Sequence, residues 1–401
     1  MLKMAGLGFT RLPRAVLPIY GTTLADTLGY TLMIPLLPVI VRQYHATDLM
    51  AGAMLSIPAL CSTIAAPVWG TISDRIGRKP VIIAAQILSL LGYLLLALSH
   101  SLALVFLSRI VSGCGGGSLG AVESYLADVT QPEQRAFAYS LYGAVFGVAF
   151  IIGPAVSGTL LHDGVALPFF FATGLEAINI IFTALFVPRQ TKSTQRRISI
   201  SESLEAAAMP GVRGVLIRQF LFIFAVVTFM ANFSLFVDKT LHVSIAQAAY
   251  LLAATGAVGG LVLLAGVTPL ARRIGDARTS QLGLLISAAG YVLLIFAHWG
   301  WAFTVGLVVW AVGAATAEPS LTTLLTKRAD RSKRGAVMGI SDAVNSAAMI
   351  VGPAIGSAMV GVQAPLVCGL SALASGVALF IHHDSKIGLG LWRNHRQAAR
   401  R

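Results

Sequence analysis

The sequence predicts an all-α membrane protein with twelve transmembrane helices, arranged as two parallel repeats of six. Three observations support this: an apolar composition, twelve apolar runs of spanning length, and an internal repeat. Hydrophobic residues make up 56% of the 401 residues, the mean hydropathy is +0.80, and only 11% of residues are charged. Such a chain has more apolar surface than the cores of one or two soluble domains can bury.

Apolar runs of about 18 to 25 residues are long enough to cross roughly 30 Å of hydrocarbon as a helix. Open strands are excluded, because lipid offers no partner for the peptide groups at a free edge. Twelve such runs are found at about 16–41, 50–71, 81–98, 102–127, 138–161, 168–187, 215–237, 245–269, 280–297, 301–326, 336–360 and 365–382.

The basic residues lie almost entirely on one side of these spans. Of the 29 Lys and Arg residues, 26 fall in the termini, in alternate turns, or in the central segment together with Arg218 at the start of the next span. Arg42 and Lys239 lie on the opposite side, and Arg109 lies inside the fourth span. The positive-inside rule therefore predicts that both termini are cytoplasmic. It also explains the net charge of +13 without a nucleic-acid partner. At the outer end of the seventh span, Asp238 and Lys239 are expected to form a solvated pair.

A polar segment at about 188–214 divides the chain into two six-helix bundles, 1–187 and 215–401, the second with a basic tail. We expect this segment to be a cytoplasmic linker, either disordered or containing a short surface helix with Glu202 and Glu205.

The two halves repeat each other. Arg135 and the Gly153-Pro154 pair recur as Arg334 and Gly352-Pro353, displaced by 199 positions, and Arg75-Ile76-Gly77 recurs as Arg273-Ile274-Gly275 at 198. Short matches are common in apolar sequence, but a shared offset the length of six spans indicates parallel repeats.

Several motifs resemble those of the major facilitator superfamily. The turn between spans 2 and 3 fits G-x-x-x-D-R-x-G-R-[KR], and the first span carries Asp26 followed by G-x(5)-P-x-L-P. Arg109 to Gly113 fits R-x-x-x-G, the stretch from Tyr125 through Asp128 to Arg135 resembles the exit of helix 4, and the fifth span contains G-x(5)-G-P-x-x-x-G. The turn comprises Gly70, Asp74, Arg75, Gly77, Arg78 and Lys79, and the fifth-span motif comprises Gly147, Gly153, Pro154 and Gly158.

Over nearly its whole length the chain is most similar to the drug:proton antiporter family, and within it to bacterial tetracycline-efflux-type transporters. The resemblance implies a multi-pass protein of the bacterial inner membrane that exports amphipathic small molecules by alternating access. A proton gradient would drive it, without a bound cofactor. A proton-coupled importer or a lysolipid flippase of the same fold remains the alternative.

Ionisable groups inside spans are costly unless paired or hydrated, so they are the candidate proton-coupling residues. Asp26 is the first choice, because burial favours the protonated acid and wetting favours its release; a structural hydrogen bond is the alternative. Arg109 is expected to act on a cavity acid, with Asp26 the leading candidate. The other candidates are Glu123, Glu176, Glu318 and Asp342. At the position of Glu176 the resemblance implies an asparagine, so it predicts no role for this acid.

Aromatic and charged residues also suggest a substrate cavity and a gate. The candidate cavity residues are Asp26, Tyr30, Arg109, Tyr142, Phe146, Glu176, Phe233 and Trp310. Aromatics pack in cores more often than they line cavities. In the turn, Asp74 can pair with a helix N-terminus or a nearby Arg and latch the halves together, or the turn can simply set topology. The helix 5 glycines suit either a hinge or close packing.

No other chemistry is indicated. The sequence lacks an ATP-binding G-x(4)-G-K-[ST], an H-E-x-x-H and a nucleophile elbow, so we expect neither enzyme activity nor a metal site. The expected partners are a small-molecule substrate, protons and the lipid bilayer, and the expected state is a monomer.

Overall fold

The structure is a computed structural model, and it describes residues 13, 15–117, 119–189, 200–209, 211–241, 243–296, 300–329 and 333–381. These residues form helices joined by short turns, and no strand occurs among them. The N-terminal residues Lys3, Arg11 and Arg14, most of the predicted linker and the basic tail lie outside the described residues.

The first half of the chain contributes eight helices. They are α1 (Val16–Thr31), α2 (Leu37–Gln43), α3 (Asp48–Ile76), α4 (Arg78–Ala97), α5 (Leu102–Gly116), α6 (Leu119–Val129), α7 (Pro132–Leu160) and α8 (Leu167–Phe186). Together α1 and α2 form the first span, and α5 and α6 form the fourth. Pro35 and Pro38 follow the break in the first span, where a missing amide N–H prevents a continuous α-helix.

The second half contributes the other eight. They are α9 (Ile200–Ala207), α10 (Val212–Leu241), α11 (Ile245–Val262), α12 (Thr268–Ile274), α13 (Asp276–Phe296), α14 (Trp301–Arg328), α15 (Arg334–Val362) and α16 (Leu366–Phe380). A π-turn at Leu263–Val267, just before Pro269, joins α11 to α12 within the eighth span. Helix α9 is the short helix that was one of two alternatives for the linker, and it packs on α15.

The prediction of twelve spans is confirmed. Ten helical segments in the described part of the chain are long and apolar enough to cross a membrane. The broken first span and the 15-residue α16 complete the set.

The repeat is also visible in the backbone: Gly77, before α4, has φ 98° and Gly275, before α13, has φ 83°. Glycine adopts this left-handed region without strain, so both turns can reverse the chain within one residue.

The helices pack into two compact units. The first comprises 1–33, 61–153 and 166–194; the second comprises 34–60, 154–165 and 195–401. Tyr125 and Tyr142 lie in the apolar core of the first unit, and Phe222 and Leu284 in that of the second. The division at 188–214 that the sequence predicts stays a prediction, since most of that segment lies outside the described residues.

Candidate functional site

Asp26 lies in the middle of α1, within a polar cluster in the apolar first unit. The Asn179 side-chain amide, from α8, donates to Asp26 Oδ1 at 2.7 Å and to the Thr22 carbonyl at 3.3 Å. Asn179 is buried, and Asp26 is partly buried. The Asn179 amide therefore fixes the position of one oxygen of the Asp26 carboxyl group.

Two hydroxyls and a second amide extend this cluster. The Thr22 and Thr183 hydroxyls are 3.0 Å apart, and Gln86 Nε2 of α4 donates to Thr183 Oγ1 at 3.1 Å. All three residues are buried. Helices α1, α4 and α8 are thus joined by side-chain hydrogen bonds at the level of the acid, which fixes its surroundings.

Glu176 is the second acid of the cluster. It lies on α8, one helical turn before Asn179, and is only 1% exposed. Its carboxyl group lies beside that of Asp26, within interaction range. Both of its oxygens lack a hydrogen-bond donor among the described residues. Two ionised carboxylates are both acceptors, so they can share a hydrogen bond only if one carries a proton.

Arg109 is buried on α5 but is not seen bonded to Asp26, the partner suggested by the sequence. Its Nη1 lies 2.6 Å from Met33 Sδ, and its Nε donates to Ser108 Oγ at 3.2 Å. Tyr93 of α4 is close enough to interact with Asp26, Glu176 and Arg109 alike.

Sequence reasoning missed Gln86, Tyr93 and Asn179. It considered charged residues within spans, whereas these three are uncharged polar residues. Buried polar groups in lipid also need partners, so an amide or hydroxyl within an apolar run is a usable signal. What could not be read from the sequence is that their helices face one another.

The other predicted proton-coupling acids lie outside this cluster. Glu123 is half-buried on α6, and its carbonyl accepts a bond of 2.9 Å from the Tyr139 hydroxyl. Glu318 on α14 and Asp342 on α15 are exposed residues of the second unit. Their roles stay predictions.

Several of the predicted cavity aromatics are packed in cores. Phe233 is 0% and Trp310 4% exposed, and both pack against Phe229, with ring centroids 5.7 Å and 4.9 Å away. A role for either residue in a substrate cavity stays a prediction. Tyr142 packs edge-on against Phe146 at 5.2 Å in the first unit. Tyr30 is partly buried, near Arg109.

Arg78 is the centre of the turn between spans 2 and 3. Its Nη1 donates to Asp74 Oδ1 at 2.8 Å and to Ser73 Oγ at 2.9 Å, and its Nε lies 3.4 Å from Asp128 Oδ2 on α6. Arg75 is exposed. The bond foreseen between Asp74 and a nearby Arg is therefore present, and it helps to tie together three helices of one unit. A latch between the two halves stays a prediction.

The remaining turn residues have simpler surroundings. Lys79 Nζ donates to the Ala184 carbonyl at 2.7 Å. A Cβ at Gly70 would meet no described atom within 4 Å. The backbone of Arg135 belongs to α7, but its side chain lies outside the described residues.

The equivalent turn of the second half carries the same ion pair with its charges exchanged. Arg78 begins α4 and pairs with Asp128, the last but one residue of α6; Asp276 begins α13 and pairs with Lys327, the last but one residue of α14. In the first half the end of α6 is thus bound to the start of α4, which follows Gly77. In the second half the end of α14 is bound to the start of α13, which follows Gly275. The repeat keeps the attraction but reverses its polarity.

The helix 5 glycines behave differently from one another. A Cβ at Gly153 would lie 2.9 Å from Thr31 Cβ, and one at Gly158 3.1 Å from Ala249 Cβ, so both allow close helix packing. At Gly147 nothing described lies within 4 Å, so the expected close approach is not found there. Pro154 lies inside α7.

Two ion pairs join the end of α10 to α2 and to the start of α3. Arg42 pairs with Asp238, and Lys239 Nζ donates to Asp48 Oδ2 at 2.8 Å, all within the second unit. The expectation that Asp238 and Lys239 pair with each other was wrong. Adjacent helical residues point in different directions, so each turns to a partner on α2 or α3. We call these two bonds the outer clasp.

Among the described residues, no group of three or more His, Cys, Asp or Glu could hold a metal ion.

Comparison with known proteins agrees with this architecture. The chain matches the Major Facilitator Superfamily over residues 19–266 and 215–388. It is 28% identical to the class C tetracycline resistance protein of Escherichia coli, covering 94% of this chain and 97% of that protein. It is 24% identical to the quinolone resistance protein NorA of Staphylococcus aureus, covering 90% and 95%.

Solved structures show the same fold. The nucleoside transporter NupG superposes with a TM-score of 0.73 at 14% identity, covering 91% of this chain and 97% of that one. The human organic anion transporter MFSD10 gives 0.71 at 20% identity, covering 92% and 98%. With the family matched across both halves, this chain belongs to the Major Facilitator Superfamily.

Proposed function

We propose that this protein is a proton-coupled exporter of amphipathic small molecules, working by alternating access in a bacterial inner membrane with both termini in the cytoplasm. The observation that carries the proposal is the pair of acids, Asp26 and Glu176, held within the polar cluster of an apolar bundle. Burying an acid in such surroundings is costly, and an apolar side chain of similar size would give a more stable bundle. A buried acid here therefore indicates a group that binds and releases a proton or a ligand.

The relatives support the direction and the cargo. Those named above are resistance proteins for tetracycline and for quinolones, and both compound classes are aromatic drugs with ionisable groups. Removal of such compounds from the cell requires energy, and an acid that alternately meets each side of the membrane can supply it from the proton gradient. Export follows if protons enter as the drug leaves.

The basic loops support the orientation. The excess of Lys and Arg on one face predicts cytoplasmic termini, with the outer clasp on the far side. A substituted-cysteine label at the C-terminus, accessible only in everted vesicles, tests this. Labelling in intact cells would contradict it.

The transport test uses everted membrane vesicles energised by respiration, with fluorescent tetracycline and quinolone probes. We expect accumulation in the vesicles that collapses when a protonophore is added. Asp26→Asn should abolish proton-driven accumulation while the protein still inserts and purifies normally. Asp163→Asn, the same change at an exposed turn residue, is the matched control and should transport normally.

Two outcomes would overturn the proposal. Full proton-coupled accumulation by Asp26→Asn would remove the proposed site. Depletion of the probe from energised everted vesicles would show import instead of export.

A further inference from the structure

Two carboxyl groups share one buried position in the first unit. Asp26 comes from α1 and Glu176 from α8, one helical turn before the Asn179 whose amide donates to Asp26 Oδ1 at 2.7 Å, so the two acids lie within interaction range. Glu176 is 1% exposed, yet neither of its oxygens has a donor among the described residues. A buried acceptor without a donor is unfavourable in an apolar interior, so a proton or a cation belongs there.

The surrounding groups do not neutralise the pair. Asn179 donates to Asp26, and Gln86 is a neutral amide. The nearby titratable groups are Tyr30 of α1, Tyr93 of α4 and Arg109 of α5, whose guanidinium is directed to Met33 and Ser108. Helix α6 also packs on α1, but its Asp128 is bound by Arg78 and its Glu123 lies next to Tyr139. No basic side chain is seen bonded to either acid of the pair in the described part of the chain.

Adjacent buried carboxylates cannot both stay ionised without compensation, because like charges at short distance repel strongly where water is scarce. The pair therefore takes up protons in two coupled steps. When both protons have left, the position carries two negative charges and favours a positively charged occupant.

We propose that Asp26 and Glu176 form one proton-binding pair, so that each cycle exchanges two protons for one monovalent organic cation. This rests on the proposed function and specifies its cargo. Two protons bind from outside and make the pair neutral; inside, both leave to water as the cation enters. One net positive charge moves inward per cycle, so the membrane potential drives transport together with the pH difference.

The first test needs no substrate. Infrared difference spectra of the purified protein in proteoliposomes, titrated with pH, count carboxyl groups that change between acid and carboxylate. Subtracting the spectra of Glu176→Gln and of Asp26→Asn from the wild-type spectra isolates this pair among the 16 Asp and Glu residues of the chain. For the pair we expect two coupled protonations in the wild type and one in each variant, with the surviving acid titrating at a pH different from either wild-type step. Glu205→Gln, an exposed acid on α9, is the matched control and should leave both steps unchanged. The proposal of a coupled pair fails if Glu176→Gln leaves the titration of Asp26 unaltered. It also fails if Glu176 never ionises over the pH range.

The second test measures charge movement. Ethidium, a monovalent aromatic cation, is exchanged in proteoliposomes at equal pH, with the potential set by potassium and valinomycin. We expect potential-driven transport in the wild type. Glu176→Gln should lose this dependence and keep transport driven by a pH difference, and Glu176→Asp should regain it.

The outcomes of the two tests separate the proposals. Wild-type ethidium exchange indifferent to potential would refute the two-proton cycle, and transport of neutral chloramphenicol without ethidium would refute the cationic cargo. If neither compound nor any drug probe responds to a proton gradient, the proposed function fails, while the infrared titration still decides whether the acids form a pair.

Discussion

Replacing Arg78 by alanine should destabilise the first unit far more than replacing its neighbour Arg75. The Arg78 side chain is 7% exposed and donates to Asp74, Ser73 and Asp128. Hydrogen bonds to charged groups contribute about 1.5–3 kcal/mol each, although the bond at 3.4 Å contributes little. Asp74 is 31% exposed and can regain water when the cation is removed.

We therefore expect Arg78→Ala to lower the free energy of unfolding by about 2–4 kcal/mol. Arg78→Lys keeps the charge but not the planar fork, so it should recover roughly half of that loss. Arg75→Ala removes the same charge from an exposed position and should cost less than about 0.5 kcal/mol.

The assay is unfolding of the purified protein by SDS in mixed micelles, followed by circular dichroism. An Arg78→Ala variant as stable as the wild type would refute the reasoning. Equal losses for the two alanine variants would refute it as well, because they would make charge in the turn, and not the bonded network, the source of stability.

Two further predictions concern α7 and the outer clasp. Gly153→Ala brings a Cβ within 2.9 Å of Thr31 and should lower the free energy of unfolding by about 1–3 kcal/mol. Gly147→Ala meets open space, so it should be neutral or should stabilise the protein by up to about 1 kcal/mol. The same SDS titration compares the two variants, and equal effects would contradict the packing. Reversing Arg42 to Asp should lower stability by about 1 kcal/mol, and adding Asp238→Arg should restore most of it. A double variant no more stable than the single one would show that this pair contributes nothing.

The sequence predicted the architecture because lipid leaves few choices. Span length, basic loops and the repeat each follow from physical limits on a chain in a membrane, and Asp26 stood out for the same reason. Asn179 and Tyr93 did not, since their importance depends on which helix faces which. The contrast between Gly147 and Gly153 likewise depends on what lies opposite each glycine, and no spacing encodes that.

Adjacent charges show a second limit. Asp238 and Lys239 are neighbours of opposite sign, which suggests a pair, but on a helix they diverge and bind Arg42 and Asp48. The pairing depends on the end of α10 lying beside both the end of α2 and the start of α3. Sequence proximity is a poor guide to ion pairing wherever the chain is helical.

The exchanged polarity of the two glycine turns means that the duplicated halves are no longer interchangeable parts. A chimera carrying the first turn in both places would set an arginine at position 276 against Lys327, turning attraction into repulsion. Only a coordinated change, Asp276→Arg with Lys327→Asp, would give the second half the polarity of the first. The sign of the charge at the start of the helix after the turn therefore differs between the two halves. A turn moved from one half to the other would be repelled by the helix end with which it has to pair.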